Sequence, residues 1–282
     1  MVTEGENHMY LVTGVTGNTG KVVAETLLAQ GHAVSVVVRS SANAAPWRAK
    51  GATVFTTDLT DTAALTPLLA AAKAAYIISP PSNQSPDFLA EKSEFLAHVA
   101  EAITASKIPH IVVLSSVGAQ HATGTGPIRS LHTAEQLLAN AAPSVTFLRA
   151  AYFLDNWLAS YNAGTLHNFL TPGRPVPMIS TTDIGHFAAV ELTRPHAGPQ
   201  VIEIAGPADY TPEDIAAAFG PDTQLLSHPI EAVEPTFLSF GFSPNMAALY
   251  REMIEGVNNG HITYVGTPKR GTVTAQAALQ KS

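Results

Sequence analysis

Short, almost continuously apolar runs alternate with longer amphipathic ones through the first half of the chain. MYLVT (9–13), AVSVVV (33–38), ATVFTT (52–57), AAYIIS (74–79), HIVVLSS (110–116) and SVTFLRA (144–150) are β-branched and nearly without a polar face. Strands covered on both sides read this way. Between them, NTGKVVAETLLAQG (18–31), DTAALTPLLAAA (61–72), DFLAEKSEFLAHVAEAITAS (87–106) and IRSLHTAEQLLANA (128–141) repeat apolar positions at three- and four-residue spacing, as helices packed on a core do. The alternation predicts a doubly wound parallel sheet with right-handed crossovers. Ligands of such a sheet bind beyond the carboxyl ends of its strands, near the switch point.

Past Ala150 the pattern breaks into Pro- and Gly-punctuated pieces such as TPGRPVPMIS, TRPHAGPQ and AGPADYTPEDIAAAFGPD. One further strand, QVIEIAG (200–206), and a helix led by Asp183 in TTDIGHFAAVEL (181–192) are expected to return to the sheet. Residues 8–150 plus about 176–206 thus form the α/β domain, and residues 151–175 plus about 207–282 a smaller α+β lobe. No internal repeat or low-complexity linker separates them, so they are expected to pack as one body. The flanks MVTEGEN and AALQKS are expected to be loose.

The first strand runs directly into VTGVTGNTG, where Gly14, Gly17 and Gly20 fall within seven positions before a helix begins. A strand turning at once into a helix needs a glycine. So does the close approach of a dinucleotide pyrophosphate to the helix N-terminus, and so does tight helix-to-strand packing. A glycine-rich turn without a ligand fits three glycines alone equally well. Their place at the head of a six-strand alternation favours a Rossmann-type dinucleotide site, with Thr16, Asn18 and Thr19 lining the same turn. The second strand ends in VVVRSS, placing Arg39 where an NAD-selective site carries an acid. An arginine pairs with a 2′-phosphate that a carboxylate would repel, so NADPH/NADP is the expected cofactor. The alternative is a solvated arginine at a strand end. Asp58 and Leu59 in TDLTD stand where they would flank the adenine, unless Asp58 is only a turn residue. Ser79, Pro80 and Pro81 in SPPSN would lie over the cofactor, unless the prolines only stop a strand.

Composition removes several other classes. With 282 residues, 46% of them hydrophobic, the chain is long enough to bury a full core. A formal charge of −7 argues against direct binding of nucleic acid or anionic lipid. No apolar run approaches the roughly 18 to 20 residues needed to span a bilayer, and MVTEGENHM is not a secretory leader. A cytoplasmic protein is expected. Cysteine is absent, which excludes disulfides and thiolate chemistry. The histidines other than His132 show no i, i+4 pair on a helix and no neighbouring carboxylate set, so no metal is expected. No Gly-x-Ser-x-Gly elbow supports a hydrolase.

The segments VTGVTGNTG, VVVRS, DLTD, VVLSSVGA, HTAEQLL, VTFLRAAYFLDN and MISTTDIGHFAA occur in that order between about residues 9 and 205. As a set they resemble the NmrA-like group of atypical short-chain dehydrogenase/reductases, which includes NADPH-dependent quinone oxidoreductases. The resemblance implies an NADP-binding Rossmann domain with a substrate cleft against the C-terminal lobe. It also implies a choice between two functions, since members divide between reductases and proteins that sense the NADPH/NADP ratio without turnover.

A classical short-chain dehydrogenase pairs a serine on the fifth strand with Tyr-x-x-x-Lys on the next helix. Ser115 and Ser116 are present, with Ser115 expected at the cofactor, but GTGPIRSLHTAEQLL contains no tyrosine and no lysine. Carbonyl reduction by the usual acid is therefore disfavoured, as is a sugar-nucleotide epimerase. Quinone reduction demands less, because the anion formed is delocalised. If the resemblance holds in register, His132 faces the cofactor and is the catalytic expectation, with Glu135 one turn on to cap or orient it. The alternative for His132 is a partly buried histidine bonded to a neighbour. Tyr152, Phe153 and Asn156 in AAYFLDN would stack on a flat substrate ring and bond its oxygen, or else seal the interface between lobes. Together these residues predict an NADPH-dependent reductase of a small-molecule acceptor such as a quinone. The second reading is an idle NADP(H)-binding redox sensor.

Overall fold

The computed structural model describes residues 9–280, and the expectations for MVTEGEN, His8 and the last two residues lie outside it. The apolar runs pair into one parallel sheet because each has two faces to bury. Its strands are β1 (Met9–Val12), β2 (Ala33–Val38), β3 (Thr53–Thr56), β4 (Ala72–Ile77), β5 (His110–Ser116) and β6 (Ser144–Ala150). Three of these, β2, β5 and β6, have the predicted bounds. After the short strands β7 (Tyr152–Phe153), β8 (Tyr161–Asn162), β9 (Thr165–Asn168) and β10 (Val176–Ile179), the chain returns as β11 (Gly198–Ala205). Three more strands follow: β12 (Asp209–Tyr210), β13 (Gln224–Ser227) and β14 (Lys269–Arg270). The spatial order β14-β11-β6-β5-β4-β1-β2-β3 places the switch point between β1 and β4.

Helices cover both faces. On one side lie α1 (Asn18–Ala29), the short α2 (Ala44–Ala49) and α6 (Thr181–Leu192); on the other lie α3 (Thr62–Ala70), α4 (Phe88–Ser106) and α5 (Arg129–Leu138). Val12, Val36, Tyr76 and Leu148 bury against the first group, and Leu11, Val37, Ile77 and Val113 against the second. Alternate residues of one strand therefore feed two cores, the physical content of the unbroken apolar runs. Gly185 lets α6 approach α1, since a Cβ there would stand 2.5 Å from that of Val22.

A third core gathers Leu154, Trp157, Leu166, Met178, Ile215 and Ile254 from the later chain. It takes in α7 (Pro212–Phe219), α8 (Val233–Ser239), α9 (Pro244–Asn259) and α10 (Ala275–Leu279). Sheets β12-β10-β7 and β13-β9-β8 frame it. The first of these joins β7, from before residue 176, to β10, from after it. Two expectations are corrected. The helix at 181 is capped by Ser180, whose Oγ accepts from the Asp183 amide at 3.0 Å. The Asp183 carboxylate instead accepts from the Thr272 and Val273 amides at 3.2 and 3.0 Å, holding the C-terminal segment so that β14 adds to the edge of the main sheet. The flank AALQKS is not loose over its described part, because α10 buries Ala278 and Leu279. A capping threonine, Thr274, and apolar anchors outweigh proximity to the chain end.

Candidate active site

Beyond the carboxyl ends of β1 and β4, Thr13 Oγ1 donates to the Tyr76 carbonyl at 2.9 Å and accepts from the Ile78 amide at 3.2 Å. That link fixes the two strand ends at the switch point. Gly14 then turns with φ +67° against the Ile78 side chain, a conformation costly for any residue bearing a Cβ. Gly20 packs on the same turn, where a Cβ would lie 2.5 Å from the Gly14 carbonyl oxygen. Gly17 differs, since a Cβ there meets only the Gly14 oxygen, at 3.4 Å. It faces open space at the start of α1. Helices α3, α4, α6, α7, α9 and α10 each begin with a side chain that caps a backbone amide; α1 begins at Gly17 without one. Uncapped amides at a positive dipole end beside open space suit an anion.

The space continues into a cavity of about 680 Å³ lined by Gly14, Thr16, Gly17, Arg39, Asp58, Leu59, Ser79, Pro80 and Pro81. The structure thus brings nine of the expected positions to one cleft. Asn18, Thr19 and Gly20 line neither this cavity nor its neighbour. Thr19 is buried and accepts a hydrogen bond from the Tyr76 hydroxyl at 3.2 Å, a packing duty shared with Gly20. Arg39 is exposed, with no hydrogen bond or ion pair among the described residues. Its field helps hold the Asp58 carboxyl below its ordinary range, although hydrogen bonds from the Thr60 amide and hydroxyl contribute more. Asp58 Oδ1 closes a turn on Thr60 at 2.9 and 2.7 Å, and the residue also lines the cleft.

Ile78 to Ser82 form a wall shared with a second cavity, of about 330 Å³. Lys92, itself on the cleft lining, braces this wall. Its side chain is 2% exposed, and Nζ donates to the Pro80 carbonyl and the Ser82 hydroxyl, each at 2.7 Å. Burial pulls its pKa below the usual lysine value, opposed by Glu91. Lys92 was not among the expected site residues. Its signal was a lysine on the buried stripe Phe88, Lys92, Phe95, Leu96 and Val99 of α4.

The second cavity is lined by Ser115, Tyr152, Phe153 and Asn156, with Ile128, Leu131, Met246, Tyr250, Met253 and Ile262 around them. The Ser115 hydroxyl donates to Glu135 Oε1 at 2.6 Å. Glu135 is in turn gripped by Arg149, Nε to Oε1 at 2.9 Å and Nη2 to Oε2 at 2.6 Å. That bidentate pair raises the Arg149 pKa despite partial burial. With its proton committed to a carboxylate, the Ser115 oxygen offers the cavity lone pairs only. Glu135 therefore orients Ser115 and not His132, a correction. His132 also departs from expectation. Nδ1 lies 2.8 Å from the Ala119 carbonyl, so it carries the proton, and Nε2 is 2.8 Å from the Gln136 amide nitrogen. The ring lines neither cavity. The alternative weighed for it, a histidine bonded to neighbours, describes its surroundings, because the nearest carbonyl lies on the loop after β5 and draws the ring there.

Folding also brings distant histidines together, stacking His121 on His261 at 3.9 Å and setting His167 Nδ1 2.9 Å from His228 Nε2. Among the described residues no group of three or more His, Asp or Glu is arranged to hold a metal, and no helix is long and apolar enough to cross a membrane.

Residues 6–248 match the model of the NmrA-like family, to which the chain belongs. Quinone oxidoreductase 2 of Escherichia coli (strain K12) is 29% identical over 218 residues, covering 74% of this chain and 72% of that protein. An NAD(P)H azoreductase of Xenophilus azovorans is 22% identical over 253 residues, covering 87% of this chain and 86% of the relative. The fold also matches the crystal structure of an Escherichia coli NADPH-dependent quinone oxidoreductase complexed with NADPH, with a TM-score of 0.77 at 22% identity and 91% of each chain covered.

Proposed function

We propose that this protein is an NADPH-dependent reductase of small planar acceptors such as quinones. One observation carries the reading: the wall Ile78–Ser82 belongs both to the glycine-turn cleft and to the apolar cavity beneath α9. An elongated ligand in the first therefore has its far end beside the second. Two features of the cleft support NADPH, the uncapped helix end at Gly17 for the diphosphate and Arg39, without a hydrogen bond or ion pair among the described residues, for the 2′-phosphate. Asp58 and Leu59 would flank the adenine, and Ser79, Pro80 and Pro81 would cover the middle of the molecule. Bound there, NADPH supplies a hydride.

The chain's own residues do the positioning. Ser115, an acceptor because Glu135 takes its proton, would receive an amide N–H and fix the depth of the bound ring. Phe153 would lie on a flat acceptor, and Tyr152 and Asn156, the latter exposed at the rim, would reach its oxygen. No strong acid lines the cavity, which suits an acceptor whose reduced anion is delocalised. Holding donor and acceptor within about 3 to 3.5 Å then supplies most of the rate. Family membership and reductase relatives acting on quinones and azo compounds support the same class.

The test is NADPH oxidation followed at 340 nm against a panel of benzo- and naphthoquinones. Steady, protein-dependent turnover is expected. Tight NADP(H) binding with no turnover on any acceptor would overturn the reading in favour of a redox sensor.

A further inference from the structure

Ser115 leaves a question in the second cavity, because an acceptor molecule with an oxygen atom needs donors and the serine is spent. The other hydroxyls on the same lining are largely spent too. Ser116 donates to the Val117 carbonyl at 3.0 Å and Ser130 to the Pro127 carbonyl at 2.8 Å. Ser82 donates to Glu91. Ser79 sits on the wall shared with the cleft, and Asn83 and Asn156 are exposed at the rim. Away from that wall two half-buried residues remain, Tyr152 and Tyr250, whose hydroxyls have no hydrogen-bond partner among the described residues.

Both rings are held in place. Tyr250 on α9 stacks on Phe237 at 4.5 Å and meets the edge of Phe242 at 5.4 Å. Tyr152 sits in β7 paired with Met178, with Trp157 at 6.2 Å. Burial pushes the Tyr152 hydroxyl up to about 12, with a smaller contribution from the field of Tyr250. Burial also raises Tyr250. The two phenols thus share one electrostatic environment, and both keep their protons at neutral pH. Neither hydroxyl oxygen is sealed from water, so a ligand acceptor atom held among Ile128, Met246, Met253 and Ile262 would take the place of solvent at them.

We propose that Tyr250 is, with Tyr152, a hydrogen-bond donor to the acceptor's oxygen, so that the cavity selects planar molecules carrying an oxygen acceptor over hydrocarbons of the same shape. The inference rests on the reading of this cavity as the substrate site. It assigns a specificity role to a residue of the C-terminal lobe that no sequence motif marked.

Equilibrium dialysis of 1,4-naphthoquinone against naphthalene, without cofactor, tests it independently of turnover. The unmodified protein should prefer the quinone. Tyr250→Phe and Tyr152→Phe should each weaken quinone binding about 2- to 12-fold, the range for one neutral hydrogen bond, with naphthalene unchanged and the thermal midpoint retained. Equal affinity of the unmodified protein for both compounds would overturn the proposal. So would a Tyr250→Phe variant that binds quinone unchanged or loses both compounds equally. Preserved tyrosine-dependent binding without NADPH turnover would instead sink only the reductase reading.

Discussion

The glycine-turn cleft and the cavity beneath α9 share the wall Ile78–Ser82 but are built in opposite ways. The cleft takes most of its residues from short consecutive stretches, the turn after β1, the end of β2, the TDLT turn after β3 and the loop after β4, to which α4 adds Glu91, Lys92, Glu94, Phe95 and His98. Each of the four stretches sits at a strand end, so strand order converges them. The cavity draws on residues from Ile78 to Ile262, and its Ser115–Glu135–Arg149 network joins β5, α5 and β6. A cleft of the first kind is robust to changes in packing. One of the second kind depends on how whole elements dock, so variants should separate the two.

The largest effect is expected where the cavity's network is cut. Glu135→Ala leaves the Arg149 guanidinium, only 9% exposed, without its carboxylate. The loss should be about 3 kcal/mol, the lower end for a broken buried pair because both side chains keep some contact with water. Urea unfolding measures it; a change within 0.5 kcal/mol would mean the pair is solvated and Ser115 is not held by it.

Next comes a contrast within the turn. Gly20→Val drives a Cβ into the Gly14 backbone and should destabilise the fold by about 1–3 kcal/mol. At Gly17 the Cβ has room, so Gly17→Val should cost about 1 kcal/mol or less at the helix start. It should nevertheless weaken NADPH by more than about 100-fold, equivalent to some 2.7 kcal/mol. Thermal melts beside a fluorescence titration separate fold from binding; unchanged NADPH affinity in folded Gly17→Val would show that the open space at α1 is not the diphosphate site.

The smallest effect sharpens the cleft's selectivity. Arg39→Ala should weaken NADPH about 10- to 100-fold and leave NADH nearly unchanged, since one charge-assisted hydrogen bond contributes about 1.5 to 3 kcal/mol. Titrating both cofactors decides it. Equal losses would mean that Arg39 acts as a general cation and does not read the 2′-phosphate.

Much of this molecule follows from periodicity and local backbone demands. The bounds of β2, β5 and β6 and the course of α4 and α6 are written in runs of β-branched residues and in apolar stripes, because burial on two faces leaves no other pattern. Gly14 and Gly20 are likewise legible, since only glycine tolerates that turn and that approach. Where side chains point across the fold was not written locally. The spacing of His132 and Glu135 along α5 suggested that one orients the other, yet the carboxylate turns to Arg149 and the imidazole to the Ala119 carbonyl. Arg149 hinted at such a partner by being charged within an otherwise apolar strand, but nothing near it in sequence named Glu135. Tyr250 carried no signal at all. It reaches the cavity only because α9 packs on α8 and on the turn at Gly126–Ile128 that leads into α5, and such docking depends on the sum of many weak apolar contacts that no short stretch encodes.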